Sequence, residues 1–277
     1  MSILNGKTTL LMIGAGNMGG AMLRSWVQTQ ISKFSLLVLE PQPSDWLKSM
    51  FEMGLVELNN IKTEKKIDIC VFAVKPQTLG KALEENRKRL RKETLIVSVV
   101  AGKDFNFLKS SLHPDQPIIR VMPNTPVSVS QGISAMVANK STDQTHIGWV
   151  QALFAALGKI VLLKNENQID AVTAISGSGP AYVFNFIENL IEIAEELGLS
   201  AEVSKKLVIQ TVVGAGILSD STTLNPGRLR ENVTSPAGTT QAALEVLMDE
   251  KFGWKPIIKK AVHAAHNRSK ELAGTKN

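Results

Sequence analysis

The first 160 or so residues alternate short apolar runs with longer stretches of mixed character. Runs rich in β-branched or apolar residues cover 8–13, 36–39, 67–74, 94–100, 118–122, 133–138 and 159–163, and each predicts a strand. Several are apolar at nearly every position, as strands are when helices cover both faces of a sheet. Helical periodicity lies between them, at about 17–30, 43–53, 77–92, 104–111 and 143–157. Strands alternating with helices predict right-handed crossovers and a largely parallel sheet.

Past about residue 164 the strand signal stops and the remaining segments read as helices. In 181–197 the apolar residues Val183, Phe184, Ile187, Leu190, Ile191, Ala194 and Leu197 recur at helical spacing, while Asn185, Glu188, Asn189, Glu192 and Glu195 face away. The next segment, 205–219, is apolar almost all round and carries Gly214-Ala215-Gly216, so it needs cover on every face. A helical half of this size has few layers in which to hide such a helix, and a second copy of the chain is expected to cover it.

Composition narrows this picture. A length of 277 residues suggests two domains. With 44% hydrophobic and 20% charged residues, the chain is neither largely disordered nor collagen-like. The formal charge of +6 would suit a nucleic-acid partner, but the basic residues are spread along the chain and only 5% of residues are aromatic, so none is expected. Cys70 is the single cysteine and sits in the apolar run Ile67-Asp68-Ile69-Cys70-Val71-Phe72-Ala73. It excludes an intrachain disulfide, reads as packing, and fits a reducing cytoplasm. The opening Met1-Ser2-Ile3-Leu4-Asn5-Gly6-Lys7 lacks the features of a secretion signal. The longest apolar helix candidate, 207–218, is broken by Gln210 and Thr211 and falls short of the ~20 residues of a membrane span. A cytoplasmic protein with no membrane partner is the expectation.

Candidate chemistry begins at Gly14-Ala15-Gly16-Asn17-Met18-Gly19, which follows the first strand and opens a helix. In that context the glycines permit a tight turn, close approach of a pyrophosphate, and close packing of helix on strand. The free amides of the helix start then face phosphate charge. Glu40 ends the second strand 21 positions after Gly19, where a carboxylate accepts hydrogen bonds from a ribose and repels a 2′-phosphate. The expected cofactor is therefore NADPH or NADH, with Glu40 tilting the preference towards NADH; the plainer reading of Glu40 is a solvated carboxylate at a strand end.

Ala73-Val74-Lys75-Pro76-Gln77 places Lys75 at the carboxyl edge of the sheet, either as a ligand contact or as a surface charge. Val121-Met122-Pro123-Asn124-Thr125-Pro126 forms a second strand-end loop, stiffened by two prolines and offering Asn124 and Thr125. In the helical half, Ser176-Gly177-Ser178-Gly179-Pro180-Ala181-Tyr182 and Thr234-Ser235-Pro236-Ala237-Gly238-Thr239-Thr240 each lead into a helix and offer amides and hydroxyls to an anion such as a carboxylate, with simple capping as the alternative. His263 and His266 make no metal set with any neighbouring carboxylate or cysteine, and no metal is expected.

Together these motifs resemble pyrroline-5-carboxylate reductase, in that family's order and over nearly the whole chain. The resemblance implies an α/β fold: an N-terminal Rossmann-like, mostly parallel sheet domain binding a dinucleotide (1–163), then an all-α substrate-binding and dimerisation domain (164–277). The implied activity is reduction of Δ1-pyrroline-5-carboxylate to L-proline by NAD(P)H, the last step of proline biosynthesis, in a homodimer or larger assembly built through the helical domain.

By position, the resemblance implies cofactor contacts at Gly14, Ala15, Gly16, Asn17, Met18, Gly19, Asn60, Ala73, Val74, Lys75, Pro76, Val99, Val100, Ala101 and Asn232, to which the reading of the strand ends adds Glu40 and Asn124. It implies substrate contacts at Glu166, Ser235, Ala237, Gly238, Thr239 and Thr240, with the Thr240 hydroxyl reaching the imine nitrogen as the catalytic group. Ala237 stands where the family commonly has glycine, and is expected to keep a negative φ. Glu40 stands where many relatives carry a small polar or basic residue. The nearest rival, a β-hydroxyacid dehydrogenase, resembles this plan but would carry a catalytic lysine on the helix 181–197, which has none. A silent nucleotide-sensing protein would leave the polar residues of 234–240 without a use.

Overall fold

The computed structural model describes residues 8–29, 34–60 and 65–274. Residues 1–7, which bear the expectation of no secretion signal, lie outside this set, as does the end of the first predicted helix at residue 30. The chain packs as two compact units: Met1–Ser178 together with Ala265–Asn277, and Gly179–Ala264.

The first unit holds an eight-stranded sheet. Its elements are β1 (Thr8–Ile13), α1 (Asn17–Gln28), β2 (Phe34–Leu39), α2 (Asp45–Glu52), β3 (Glu57–Leu58), β4 (Ile69–Phe72), α3 (Leu79–Asn86), β5 (Leu95–Ser98), α4 (Phe105–Lys109), β6 (Ile118–Met122), β7 (Gly132–Ala138), α5 (Gln144–Ala155), β8 (Gly158–Leu162) and α6 (Gln168–Val172). The strand order is β3-β2-β1-β4-β5-β6-β7-β8. The order reverses direction between β1 and β4, and the crevice beyond their carboxyl ends is where ligands of open α/β sheets bind.

Every strand pair is parallel except β6 with β7. That exception departs from plain βαβ alternation for a simple reason: the link between these strands contains only a short 3₁₀ turn, Thr125–Val129, and no crossover helix, so β7 folds back. The sequence pattern also passes over β3, because a two-residue edge strand has no periodicity to read.

Neighbouring residues of β1 serve opposite faces. Leu10 and Met12 join one core cluster with Met22, Trp26, Val71 and Phe154. Leu11 and Ile13 join the other with Cys70, Phe72, Leu79 and Leu83. The near-continuous apolar strands follow from this, since period-two alternation places both sets against helices. Trp26 anchors its cluster twice, packing edge-on to Phe154 at 6.3 Å between ring centroids and donating from Nε1 to the carbonyl of Leu153 at 2.8 Å. Cys70 is wholly buried, and burial pushes its thiol pKa up, which suits packing.

The division between units falls at Ser178 instead of near 163. Beyond β8, Ile169 remains with the sheet unit, buried in a cluster with Met122 and Val137. The end of α11 (Trp254–Gly274) also belongs to this unit: Ser269 Oγ donates to Asp170 Oδ1 at 2.7 Å, and a Cβ on Gly102 would stand 3.1 Å from the Leu272 backbone.

The second unit is helical: α7 (Gly179–Glu196), α8 (Ala201–Asp220), α9 (Pro226–Asn232), α10 (Thr239–Leu247) and the first part of α11. Helices α7 and α8 pack on each other, and Phe186 meets Trp254 edge-on at 5.1 Å. Little else is sealed. Val208 is 5% exposed, yet Phe184, Leu207 and Ile217 are 62%, 53% and 63% exposed.

Candidate active site

The turn after β1 is shaped by what lies directly beneath it. Gly14 takes φ +91°, and a Cβ there would come within 2.8 Å of the Ala73 carbonyl at the end of β4. A Cβ on Gly19 would stand 2.3 Å from the Gly14 carbonyl. Gly16 has open space before it and is the N-cap of α1 with no side-chain cap, so the first amides of that helix are left for a ligand. Beside this turn lies a cavity of about 980 Å³, lined by Gly14, Gly16, Asn17, Met18, Glu40, Ala73, Val74 and Lys75, among others.

An anion already rests on the turn: Glu40 Oε2 accepts from the Ala15 amide at 2.7 Å, and Oε1 from the Gln42 amide at 3.0 Å. The glycine turn and Glu40 thus meet at one wall. The adjacent wall is α3 with its flanking turns, where Thr78, Lys81, Ala82, Glu85, Asn86 and Arg89 face the cavity. These residues are not among the expected contacts, although their three- and four-residue spacing directly after Lys75-Pro76 is a helical stripe visible in the sequence. Size, glycine cradle and carboxylate together fit a dinucleotide.

Asn59, not Asn60, lines this cavity. Asn59 has φ +56°, and its side chain closes two hydrogen bonds on the Glu40 backbone: Oδ1 accepts from the Glu40 amide at 2.9 Å and Nδ2 donates to the Glu40 carbonyl at 2.8 Å. It holds Glu40 in register at the strand end. The exposed Asn60 donates its amide to the Leu58 carbonyl at 2.7 Å.

Other expected residues serve the scaffold. The side-chain carbonyl of Asn124 accepts from the Ile133 amide at 2.9 Å, fixing the start of β7. Val99 and the buried Val100 follow β5 at the same sheet edge, with the Val99 amide donating to the Phe72 carbonyl at 3.1 Å. Glu166 is tied on one oxygen, Oε1, by both the Arg120 guanidinium and the Phe105 amide, each at 2.7 Å. Arg120 lies on β6 with its side chain 8% exposed, so Glu166 neutralises a buried charge.

The two small-residue segments of the second half differ. The segment from Ser176 begins inside a helical turn. Residues Thr173–Gly177 form a π-turn running on from α6, in which the Ser178 amide donates to the Thr173 carbonyl at 2.8 Å and the Ser176 hydroxyl to the Val172 carbonyl at 3.1 Å. The Ser178 amide and the Ser176 hydroxyl are thus engaged within the helix.

The segment from Thr234 does lead into a helix start. Gly238 is the N-cap of α10 and supplies no side chain, and helix geometry leaves the amides of Thr239 and Thr240 without carbonyl partners in the helix. The Gly238 amide donates to the Ser235 carbonyl at 3.1 Å, and the Ala237 amide to Gln241 Oε1 at 2.8 Å. Thr240 is half-buried on the first turn, while Asn232 is exposed at the end of α9. Ala237 has φ +54°, against the expected negative value. The reason is the turn type: with Pro236 in second place, a type II turn demands a left-handed third residue.

Comparison with known proteins bears on both halves. Residues 166–272 match the family described as pyrroline-5-carboxylate reductase dimerisation, and residues 9–102 match NADP oxidoreductase coenzyme F420-dependent. The chain is 35% identical over 263 residues to the pyrroline-5-carboxylate reductase of Pseudomonas aeruginosa, covering 94% of this chain and 95% of that one.

The chain belongs to the pyrroline-5-carboxylate reductase family.

The Arabidopsis thaliana reductase is 37% identical, covering 94% of each chain. Among solved structures, a pyrroline-5-carboxylate reductase from Coxiella burnetii superposes with a TM-score of 0.88 at 32% identity, covering 98% of this chain and all of that one. The Plasmodium falciparum pyrroline carboxylate reductase, solved with NADP bound, gives 0.84 at 31% identity, covering 98% and 99%. Among the described residues, no group of three metal-ligating side chains gathers, and no helix is long and apolar enough to cross a membrane.

Proposed function

We propose that the chain reduces Δ1-pyrroline-5-carboxylate to L-proline, the closing step of proline biosynthesis. The observation that carries this reading is a helix start with unclaimed amides and a half-buried Thr240, in a chain that matches the reductase family over 94% of its length. A reduced nicotinamide nucleotide supplies the hydride when bound. Gly14, Gly16, Asn17 and Met18 would hold its pyrophosphate, and Ala73, Val74 and Lys75 the neighbouring sheet edge.

The substrate's carboxylate would rest on the Thr239 and Thr240 amides beside the Ser235 hydroxyl. An anion there is favoured by the helix dipole and by hydrogen bonds that need no rearrangement at the moment of reaction. Thr240 would hydrogen-bond the ring nitrogen. We rank it as an orienting group, since a protonated C=N is already electrophilic and an ordinary hydroxyl is a weak acid near neutrality.

Glu40 favours NADH over NADPH in this reading. Asn59 clamps its backbone and the Ala15 amide holds its carboxylate, so it meets a 2′-phosphate with fixed negative charge. The exposed apolar residues of α7 and α8 support a homodimer or larger assembly in which a second copy covers them. The buried thiol of Cys70 accords with a cytoplasmic setting.

The test follows nucleotide absorbance with pyrroline-5-carboxylate and each reduced cofactor in turn. Both are expected to be consumed, NADH the faster, with Glu40→Ser narrowing the difference. Consumption of neither cofactor would overturn the reading. Thr240→Ala is expected to lower kcat by roughly tenfold or more while cofactor binding persists; unchanged kinetics would remove Thr240 from the reaction.

A further inference from the structure

Four strands of the sheet unit end level with one another. Leu39, Ile13, Phe72 and Ser98, the last residues of β2, β1, β4 and β5, pair in succession across the sheet. Three strand spacings of about 4.8 Å each, roughly 14 Å in all, separate β2 from β5. Glu40 marks the adenosine end of that row and the Gly14 turn the pyrophosphate, so a dinucleotide laid across the carboxyl ends would bring its nicotinamide to the loop after β5. That loop, 99–104, runs beside the cavity wall of Ala73, Val74 and Lys75, and the Val99 amide donates to the Phe72 carbonyl at 3.1 Å.

The loop is gripped from two sides. On one side stands the region of α6: Glu166 Oε1 accepts from the Phe105 amide at 2.7 Å, and Ala101 and Phe105 pack on the cluster that contains Ile169. On the other stands the end of α11: Gly102 takes φ +68°, and a Cβ there would lie 3.1 Å from the Leu272 backbone. Glycine is required at 102 twice, by the conformation and by the neighbour. Ser269, 5% exposed, joins the two grips by donating to Asp170 Oδ1 at 2.7 Å, a charge-assisted bond between residues 99 positions apart. Lys103, buried with its ammonium 4.5 Å from the centre of the Phe107 ring, leaves the loop little room to move.

We propose that the last turns of α11 are a positioning clamp for hydride transfer: the Ser269–Asp170 bond holds Leu272 against Gly102 and so fixes the loop at the nicotinamide end of the crevice. This rests on the functional reading above. Hydride transfer needs reacting atoms about 3–3.5 Å apart, and a misplacement of ~1 Å caused far from the chemistry costs on the order of a hundredfold in rate. Nucleotide affinity, by contrast, is held mainly by the glycine turn and Glu40, at the other end of the row. A loosened clamp therefore slows turnover and spares binding.

Ser269→Ala and Asp170→Ala each remove the bond, and are expected to lower kcat roughly tenfold while Kd for NADH, read by fluorescence titration of the nucleotide, stays within about twofold of wild type. Asp170→Asn keeps an acceptor for the Ser269 hydroxyl and should recover most of the loss. Gly102→Ala presses a methyl onto the Leu272 backbone and should show the same split between kcat and Kd. Thermal melts establish that each variant is folded at the assay temperature; should Asp170→Ala not fold, Ser269→Ala, the loss of one hydroxyl, carries the test.

If the variants melt earlier but keep the wild-type kcat, the bond is a structural tie and the clamp is overturned. If kcat and NADH affinity fall together, or if Asp170→Asn is as slow as Asp170→Ala, the clamp is overturned as well. A wild-type chain that oxidises neither cofactor overturns the functional reading and the clamp together, which separates that failure from failure of the clamp alone.

Discussion

The sheet unit and the helical unit are built to different standards of self-sufficiency. In the first, Leu10, Leu11, Met12, Val71 and Phe72 are fully buried, and each face of the sheet carries its own apolar cluster. In the second, Val208 is sealed while Phe184, Leu207, Ile209, Val213 and Ile217 remain open to solvent. The turns that precede α1 and α10 differ in the same way. At Gly14 and Gly19 an added Cβ would strike backbone, so the residue type is dictated by neighbours that cannot move. At Ala237 the left-handed conformation is imposed by the turn alone, the side chain is exposed, and the turn accepts alanine at a cost of about 1 kcal/mol. A close-packed scaffold enforces its sequence, whereas an open helical surface leaves freedom until something covers it.

The largest expected effect tests what covers that surface. Leu207→Glu combined with Ile217→Glu should break assembly, read as a fall to monomer mass in light scattering, because each symmetric contact would bury a charge against apolar neighbours. A double variant that keeps the wild-type mass would show α8 to be solvent-facing and would erase half of the contrast between the units.

Next comes the sheet unit's own buried charge. Glu166→Ala strands the Arg120 guanidinium and should cost about 3–5 kcal/mol in denaturant unfolding, since removing one partner leaves an uncompensated charge. A rise in KM with stability intact would instead return Glu166 to the substrate.

Gly19→Ala should cost about 1–3 kcal/mol and weaken nucleotide binding, because the Gly14 carbonyl must shift away from the new methyl. The smallest effect has the opposite sign. Ala237→Gly relieves the left-handed strain and should raise stability by about 0.5–1 kcal/mol, net of the entropy that glycine adds to the unfolded chain. If Gly19→Ala is neutral, or Ala237→Gly destabilises, the contrast between the enforced turn and the tolerant one fails.

Much of the sheet unit is legible in the sequence because its signals are local. The apolar runs mark seven of the eight strands, the glycines of 14–19 sit between a strand and a helix, and Glu40 closes the next strand. What the pattern misses is set by partners distant in the chain. Asn59 matters because it folds back onto Glu40, and Glu166 is drawn to Arg120, 46 residues earlier, across the sheet edge. The reversal of β7 and the loss of the Ser176 segment to a π-turn likewise depend on how the chain continues, not on which residues it contains.

Sequence by itself determined the layers, because apolar spacing decides which face of each element must be buried, and it determined where a dinucleotide turn can form, because only glycine meets that turn's steric terms. Tertiary structure decided the hold of Asn59 on Glu40 and the pairing of Glu166 with Arg120. These are outcomes of competition for single hydrogens and single charges, and the winner is fixed by distance in space, which no local pattern encodes.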